Sequence, residues 1–416
     1  MKPSRKQIIA LWLIGSGLIF TVLIVISPQL RFVDFISFSE RAQRILKGDD
    51  WYHGLYPVGY PVVLGGTKFI TGNVLFGGKI LSVIGALILL RCVLFWKDSA
   101  GALAVVSCAS FWLWGQIEGT DMLAAGLTIG AILLAKDKPF YACGLWCAAF
   151  LTRYTAIAGL PFVIWLSPSR LRTLLLIALG TSPHWATALW LGKMPLINQT
   201  ENFARSPENL FIRSTWGPIR GLASLVAADP FLVVGSCGWI YGIKDSAGKR
   251  LLLFGFIHLL MISMVFTQPR LLLPVSLVLG MGWVWLIPVR RFVWCLPVLC
   301  CLFGIYRSGQ VSPEIKAMNQ ASLKSPVNDR FLSLSPWFFY FDKGWVNGGL
   351  PLREVSRPEG LTGDQIERYA KQNSFHFLVI HSSRIRGPYR NIASVLEHPS
   401  LTLSYEYGAW RVYQIQ

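Results

Sequence analysis

The chain has 416 residues, 53% of them hydrophobic and only 14% charged, and its mean hydropathy is +0.48, far more apolar than a soluble domain. A formal net charge of +18 is scattered between apolar runs instead of forming a stripe, which excludes nucleic acid as a partner and points to a polytopic membrane protein in contact with lipid. All eight cysteines fall in apolar runs, so neither a disulfide framework nor a zinc site is indicated.

Apolar runs predict about eleven membrane-spanning helices, near 8–27, 73–95, 101–117, 121–135, 139–152, 155–166, 173–191, 222–243, 251–266, 271–288 and 292–306. Several are short for a full crossing, and the pair around Arg153 also fits one long broken element. With the N-terminus in the cytoplasm, the inner segments hold 14 Lys/Arg in 37 residues and the outer ones 11 in 87. That density favours an inner N-terminus and an outer C-terminus, and the first apolar run reads as a retained helix. Two regions follow: a transmembrane domain over 1–306, with a long first outer loop at 28–72, and a soluble extracytoplasmic domain over 307–416.

Directly after the first span stands Asp34. Behind it Phe35, Phe38, Ala42, Ile45 and Leu46 recur at helical spacing, while Glu40, Arg41, Arg44 and Lys47 fall elsewhere around the helix. Residues 35–47 are therefore expected as an amphipathic helix at the membrane interface, its polar side facing water or headgroups. Asp34 suits the helix N-cap, yet Ser37 and Glu40 form a rival S-x-x-E capping box, and spacing leaves both a capping and a chemical role open. The loop that follows carries Trp51, Tyr52, His53, Tyr56 and Tyr60, with Pro57, Gly59 and Pro61 to stiffen it. Flat faces with polar tips suit a pyranose and an interfacial aromatic belt equally.

"EGTD" at 118–121 places Glu118 and Asp121 in a tight turn between apolar runs, where a carboxylate needs water or a polar cavity. "LTRYTA" puts Arg153 at a break in an apolar stretch, and "TQPRLLLP" puts Arg270 at another outer helix end. Each arginine alone fits snorkelling, whereas two at the outer rim beside carboxylates suit a lipid phosphate, which guanidinium binds in bidentate fashion. The loop from Lys193 to Arg220, with Arg205 and Arg213, fits headgroup anchoring or gating.

In the tail, 363–373 reads as a helix, 375–381 as a strand, 389–398 as a helix and 401–415 as a hairpin turning near Gly408, giving a small α/β domain. It contains no nucleophile elbow, phosphate loop or metal spacing, and His376, His381 and His398 read as surface or core residues.

This order of features, from the outer Asp34 through "YPVGYP" (56–61), the turn ending in Asp121, "TRYTAIAGLP" (152–161) and "QPRLLLP" (268–274) to a soluble C-terminal domain, resembles the C-type glycosyltransferase (GT-C) superfamily. Within it the chain is similar to bacterial relatives of protein O-mannosyltransferases and lipid A aminoarabinose transferases. The resemblance implies an inverting transfer of a sugar from a polyprenyl-phosphate donor to a glycan, lipid or protein acceptor. Asp34 would then be the general base and Asp121 a second acidic residue of the cavity, with Arg153 and Arg270 on the donor phosphate. Tyr52, His53, Tyr56 and Tyr60 would face sugar or acceptor. No cofactor is implied with certainty, and a divalent cation stays compatible. Protein O-mannosyltransferases carry an acidic pair where Phe35 follows Asp34 here, which argues against a protein acceptor. Two other classes share parts of the pattern: a transporter or flippase, for which the paired repeats are missing, and a non-GT-C polymerase or ligase of lipid-linked glycans, which need not depend on Asp34.

Overall fold

The computed structural model describes residues 5–26, 35–48, 57–191, 207–263, 269–286, 295–309, 331–333, 363–372, 374, 376–381, 397–407 and 410–416. Asp34, Tyr52, His53 and Tyr56, much of the 193–220 loop and most of the helix expected at 389–398 lie outside them. The chain divides into two compact units, Met1–Gln29 with Ser37–Gly309, and Leu30–Ile36 with Gln310–Gln416.

The first unit is helical. Helix α1 (Arg5–Ile26) buries Phe20 against Phe111 and Trp112, with ring centroids 5.4 and 5.2 Å apart. Helix α2 (Phe35–Lys47) has the bounds its apolar spacing predicts. Its wet side differs from expectation, because Arg41 is 7% exposed and Ser39 fully buried, while the apolar Leu46 is 47% exposed.

Residues 59–71, read from sequence as the end of a loop, form helix α3 (Gly59–Thr71). Pro61 sits in its first turn, where a missing N–H costs nothing, so the Pro/Gly pattern marks a helix start. A Cβ on Gly59 would lie 2.7 Å from Leu151, so this helix start presses on the end of α7 (Pro139–Thr152).

Helix α4 (Val74–Val106) is broken internally at Lys97 and Asp98, where Asp98 takes φ 51°. This break corresponds to the gap expected between two spans, and Lys97 there pairs with Asp245 at 2.9 Å. Helix α5 (Ala109–Trp114) follows, then α6 (Asp121–Leu134). Helices α4 and α6 cross backbone to backbone: a Cβ on Gly85 would lie 2.5 Å from the Leu123 Cα, and one on Gly126 2.1 Å from the Gly85 carbonyl. Small residues permit such approach, and dispersion across it replaces the hydrophobic drive that lipid does not supply.

A 3₁₀ turn (Tyr154–Gly159), α8 (Leu160–Leu166) and α9 (Arg170–Trp190) come next. The span expected at 222–243 is not a single helix. Helix α10 (Pro207–Ala228) ends at Asp229-Pro230, and the segment Phe231–Gly242 leaves at 114° to the preceding Trp216–Ala228. Pro230 cannot donate into a continuing helix, and the break is held by a buried acceptor: Ser110 donates to Asp229 Oδ2 through its N–H at 2.9 Å and its hydroxyl at 3.2 Å. Helices α11 (Phe231–Cys237), α12 (Trp239–Gly242), α13 (Ser246–Ser263), α14 (Leu273–Gly280), α15 (Trp283–Leu286) and α16 (Cys295–Gly309) complete the unit.

Among the described residues, Val74–Val106 and Ser246–Ser263 are long and apolar enough to cross a membrane, and the bent pair makes a third if counted as one span.

The second unit holds a four-stranded sheet in the order β1 (Phe331–Ser333), β2 (Phe377–His381), β4 (Trp410–Ile415), β3 (Leu401–Tyr407). Strands β1 and β2 are parallel, and the other pairs antiparallel. Helix α17 (Gly363–Gln372) is strongly amphipathic and matches the sequence reading, as do β2 and the β3–β4 hairpin. Strand β1 was not expected, being three residues long and lacking visible alternation.

Candidate functional site

Four elements of the helical unit converge on one pocket. It is lined by Asp121, Ala124, Ala125 and Thr128 of α6, Arg153, Thr155 and Ala156 at the α7–3₁₀ junction, His258 of α13, and Arg270, Leu271 and Pro274 at the start of α14. Asp121, Arg153 and Arg270, far apart in sequence, are thus brought together.

The acidic turn sets one wall. Gly119, at φ 140°, supplies a backbone conformation that an L side chain rarely adopts and lets the chain reverse between α5 and α6. Asp121 then opens α6 with its carboxylate near the unpaired N–H groups of the first turn, where a negative charge is favoured. The turn is not the solvated one its composition allows: Glu118 and Thr120 are 1% exposed and Asp121 7%. Glu118 faces Lys79 of α4 at 3.9 Å, both side chains buried. Three residues on, Ser82 donates its hydroxyl proton to the Ile117 carbonyl at 2.6 Å and ties the same turn to α4.

Arg153 occupies an extended residue between α7 and the 3₁₀ turn, held because its N–H still donates to Ala149 at 2.8 Å while Trp146 Nε1 donates to the Ala156 carbonyl at 2.9 Å. From there its Nη1 donates to Thr120 Oγ1 at 2.7 Å and to Asp121 Oδ1 in a short ion pair. Asp121 is thereby fixed against the Arg153 guanidinium.

Arg270 lies in the turn entering α14, closed by the Leu273 N–H donating to the Arg270 carbonyl at 3.2 Å. His258, 1% exposed, packs behind it with Nε2 3.1 Å from the Leu271 carbonyl. Two cations, one carboxylate, the hydroxyls of Thr128 and Thr155 and the His258 ring therefore surround a cleft whose remaining walls are alanine, leucine and proline, a composition suited to an anionic headgroup with an apolar extension.

Tyr60 is placed elsewhere. It is 1% exposed, edge-on to Phe38 at 5.1 Å, with Glu118, Gly119 and Asp121 as its polar neighbours, and it does not line the pocket. Lys79, Asp229 and His258 were missed by sequence reasoning, although each is an ionisable residue inside an apolar run, itself a functional signal. In the second unit His398 accepts or donates at 2.7 Å to both Asp364 and Ser400, and Glu367 pairs with Lys371 at 2.5 Å. A His with two carboxylates within 4.8 Å, assembled from α17 and the segment before β3, was also not legible as a cluster from spacing.

No protein-family model matches the sequence, and no curated protein matches it. Solved structures do match. ArnT of Cupriavidus metallidurans bound to undecaprenyl phosphate superposes with a TM-score of 0.57 over 97% of each chain, at 12% identity. The Archaeoglobus fulgidus oligosaccharyltransferase in complex with zinc and sulfate gives 0.49 over 92% of this chain and 69% of its own, at 12% identity. The mycobacterial arabinofuranosyltransferase AftD gives 0.41 over 100% of this chain and 42% of its own, at 13% identity. The first of these carries the structural likeness: the chain shares the fold of that ArnT.

Proposed function

We propose that the protein is an integral membrane glycosyltransferase that moves a sugar from a polyprenyl-phosphate donor to an acceptor hydroxyl on the extracytoplasmic face. The observation that carries this reading is the convergence of Arg153 and Arg270 with Asp121 on one pocket in a GT-C fold. Loss of polyprenyl phosphate from the sugar leaves charge on a phosphate oxygen, and two fixed guanidiniums stabilise that charge as it develops. They remain cationic at any working pH.

The transfer balances as follows. The acceptor oxygen forms a bond to the anomeric carbon, the bond from that carbon to the phosphate oxygen breaks with its electron pair leaving on the phosphate, and the acceptor proton passes to a base. We assign that base to Asp34, attack from the face opposite the leaving group giving inversion. Asp121 orients Arg153 and so belongs to the donor side. Tyr52, His53 and Tyr56 remain assigned to sugar or acceptor contacts from sequence, whereas the burial of Tyr60 favours support of the acidic turn. Two further observations support the topology of the reading: the pocket unites Asp121, Arg153 and Arg270, all assigned to outer helix ends, and the Lys97–Asp245 pair joins two segments assigned to the inner face.

The test is turnover by purified protein in lipid with a panel of polyprenyl-phosphate sugars. One of them should be consumed, and Arg153→Ala and Arg270→Ala should each raise its KM by about 10- to 100-fold, the range for one lost charge-assisted hydrogen bond. Asp34→Asn should fold normally and lose about 10²- to 10⁴-fold in kcat. Turnover of a nucleotide sugar alone, or indifference to both arginine changes, defeats the proposal.

A further inference from the structure

One wall of the pocket is formed by a residue that the transfer reaction as described leaves unused. His258 lies on α13, is 1% exposed, and lines the cleft together with Arg153 and Arg270. Its Nε2 stands 3.1 Å from the Leu271 carbonyl, and a carbonyl oxygen only accepts, so Nε2 carries the proton. In the neutral ring the other nitrogen, Nδ1, is a bare acceptor. Among the described residues Nδ1 is buried without a hydrogen-bond partner. A buried polar atom left in that state is costly, and in a binding cleft the partner that relieves it is a ligand group.

The protonation pattern decides which ligand group. Phosphate oxygens need donors, and a phosphodiester carries no proton to give, so Nδ1 has nothing to offer the part of the ligand that the arginines bind. It can take only an O–H or N–H. We propose that His258 is a specificity residue of the donor site, accepting through Nδ1 a hydrogen bond from a hydroxyl or amino group of the sugar while Nε2–H pins the Leu271 carbonyl beside Arg270. The site then reads its ligand at two points: arginines recognise the lipid phosphate, common to donor and spent product, and His258 recognises the sugar, present only on the donor. A donor that binds more tightly than the product lets spent lipid leave.

This inference rests on the donor reading above, and the experiment separates the two. Binding of a polyprenyl-phosphate sugar and of bare polyprenyl phosphate is measured with full-length protein in lipid, for the wild type, His258→Gln and His258→Asn. The glutamine amide N–H overlays Nε2–H and keeps the Leu271 contact while losing the Nδ1 acceptor. The asparagine Oδ1 overlays Nδ1 and keeps the acceptor while losing that contact. Glutamine should weaken sugar-donor binding about tenfold and leave bare polyprenyl phosphate unchanged, and asparagine should retain the preference for the sugar-bearing lipid. Equal weakening of both lipids by glutamine overturns the specificity role and leaves His258 a support for Arg270. Unchanged binding of both in the glutamine variant overturns any ligand role. If the wild type binds neither lipid, the donor reading itself falls. Elution as a single species in detergent confirms that each variant is folded, and should either collapse, the remaining one still compares the two lipids.

Discussion

Arg153 directs a single Nη1 at both the Asp121 carboxylate and the Thr120 hydroxyl, so the acidic turn and the arginine are one unit and not two independent site residues. Asp121 is a poor choice for the base of the reaction, because its Oδ1 is already engaged by the guanidinium. Its replacement should therefore act through the arginine. Asp121→Asn keeps the shape but weakens the ion pair, and donor KM should rise several-fold while the pH dependence of kcat stays as in the wild type. Arg153→Lys should not restore the site, since a point charge cannot serve Asp121, Thr120 and a phosphate with one planar fork. Steady-state kinetics across pH checks both, and a shifted kcat profile in Asp121→Asn would return this carboxylate to the role of base.

The buried Lys79–Glu118 pair makes a separate prediction about stability. Removing one partner takes the facing opposite charge away from a buried ion, a loss of about 3–5 kcal/mol, whereas removing both together costs less than the sum of the two losses. Lys79→Met and Glu118→Gln should each lower the thermal midpoint in detergent markedly, and the double variant should recover most of the loss. Additive losses in the double variant would mean that the 3.9 Å separation is too long for real coupling.

Asp229 provides the matching case for a broken helix. Its Oδ2 takes the N–H of Ser110 at the start of α5, a donor with no intrahelical partner. Asp229→Ala should cost about 1–3 kcal/mol by leaving that N–H buried and unsatisfied, while Asp229→Asn keeps an acceptor and should cost little. Thermal unfolding in detergent distinguishes them. Equal losses would show that charge, and not hydrogen bonding, holds the bend.

Part of this architecture is legible in the sequence alone. Helix α2 was legible because its apolar positions repeat at helical spacing, and the ends of α6 and α7 because Asp121, Pro139 and Arg153 interrupt apolar runs. The meeting of Asp121, Arg153 and Arg270 was suggested by their shared outer side, but the direct Arg153–Asp121 contact depends on how α6 and α7 pack, which periodicity does not encode. Helix α3 was hidden because Pro and Gly mark both a loop and a helix start. Hydropathy gives one continuous span at 222–243 because it averages over Asp229-Pro230, the two residues that break it. Lys79 and His258 were passed over for the same reason: a window tuned to apolar runs absorbs a single charge, although that charge is what needs explaining.

The second unit should respond to pH through Glu367 of α17. Lys371 donates to Glu367 at 2.5 Å one turn along α17, and this hydrogen bond holds the Glu367 carboxyl below its usual range. A carboxylate with a depressed folded-state pKa stabilises the fold above its unfolded value of about 4.3 and loses that contribution as pH falls through the folded value. Protection of α17 from proteolysis in the full-length protein should therefore weaken as pH drops from about 5 toward 3. Lys371→Ala removes the main cause of the depression, so this variant should start less protected at neutral pH and lose less on acidification. Because Lys371 is exposed and the pair lies at the surface, the difference should be small and should shrink further in high salt, where surface charges are screened. Parallel pH curves for wild type and Lys371→Ala would show that the acid sensitivity of α17 does not arise from the Lys371–Glu367 pair.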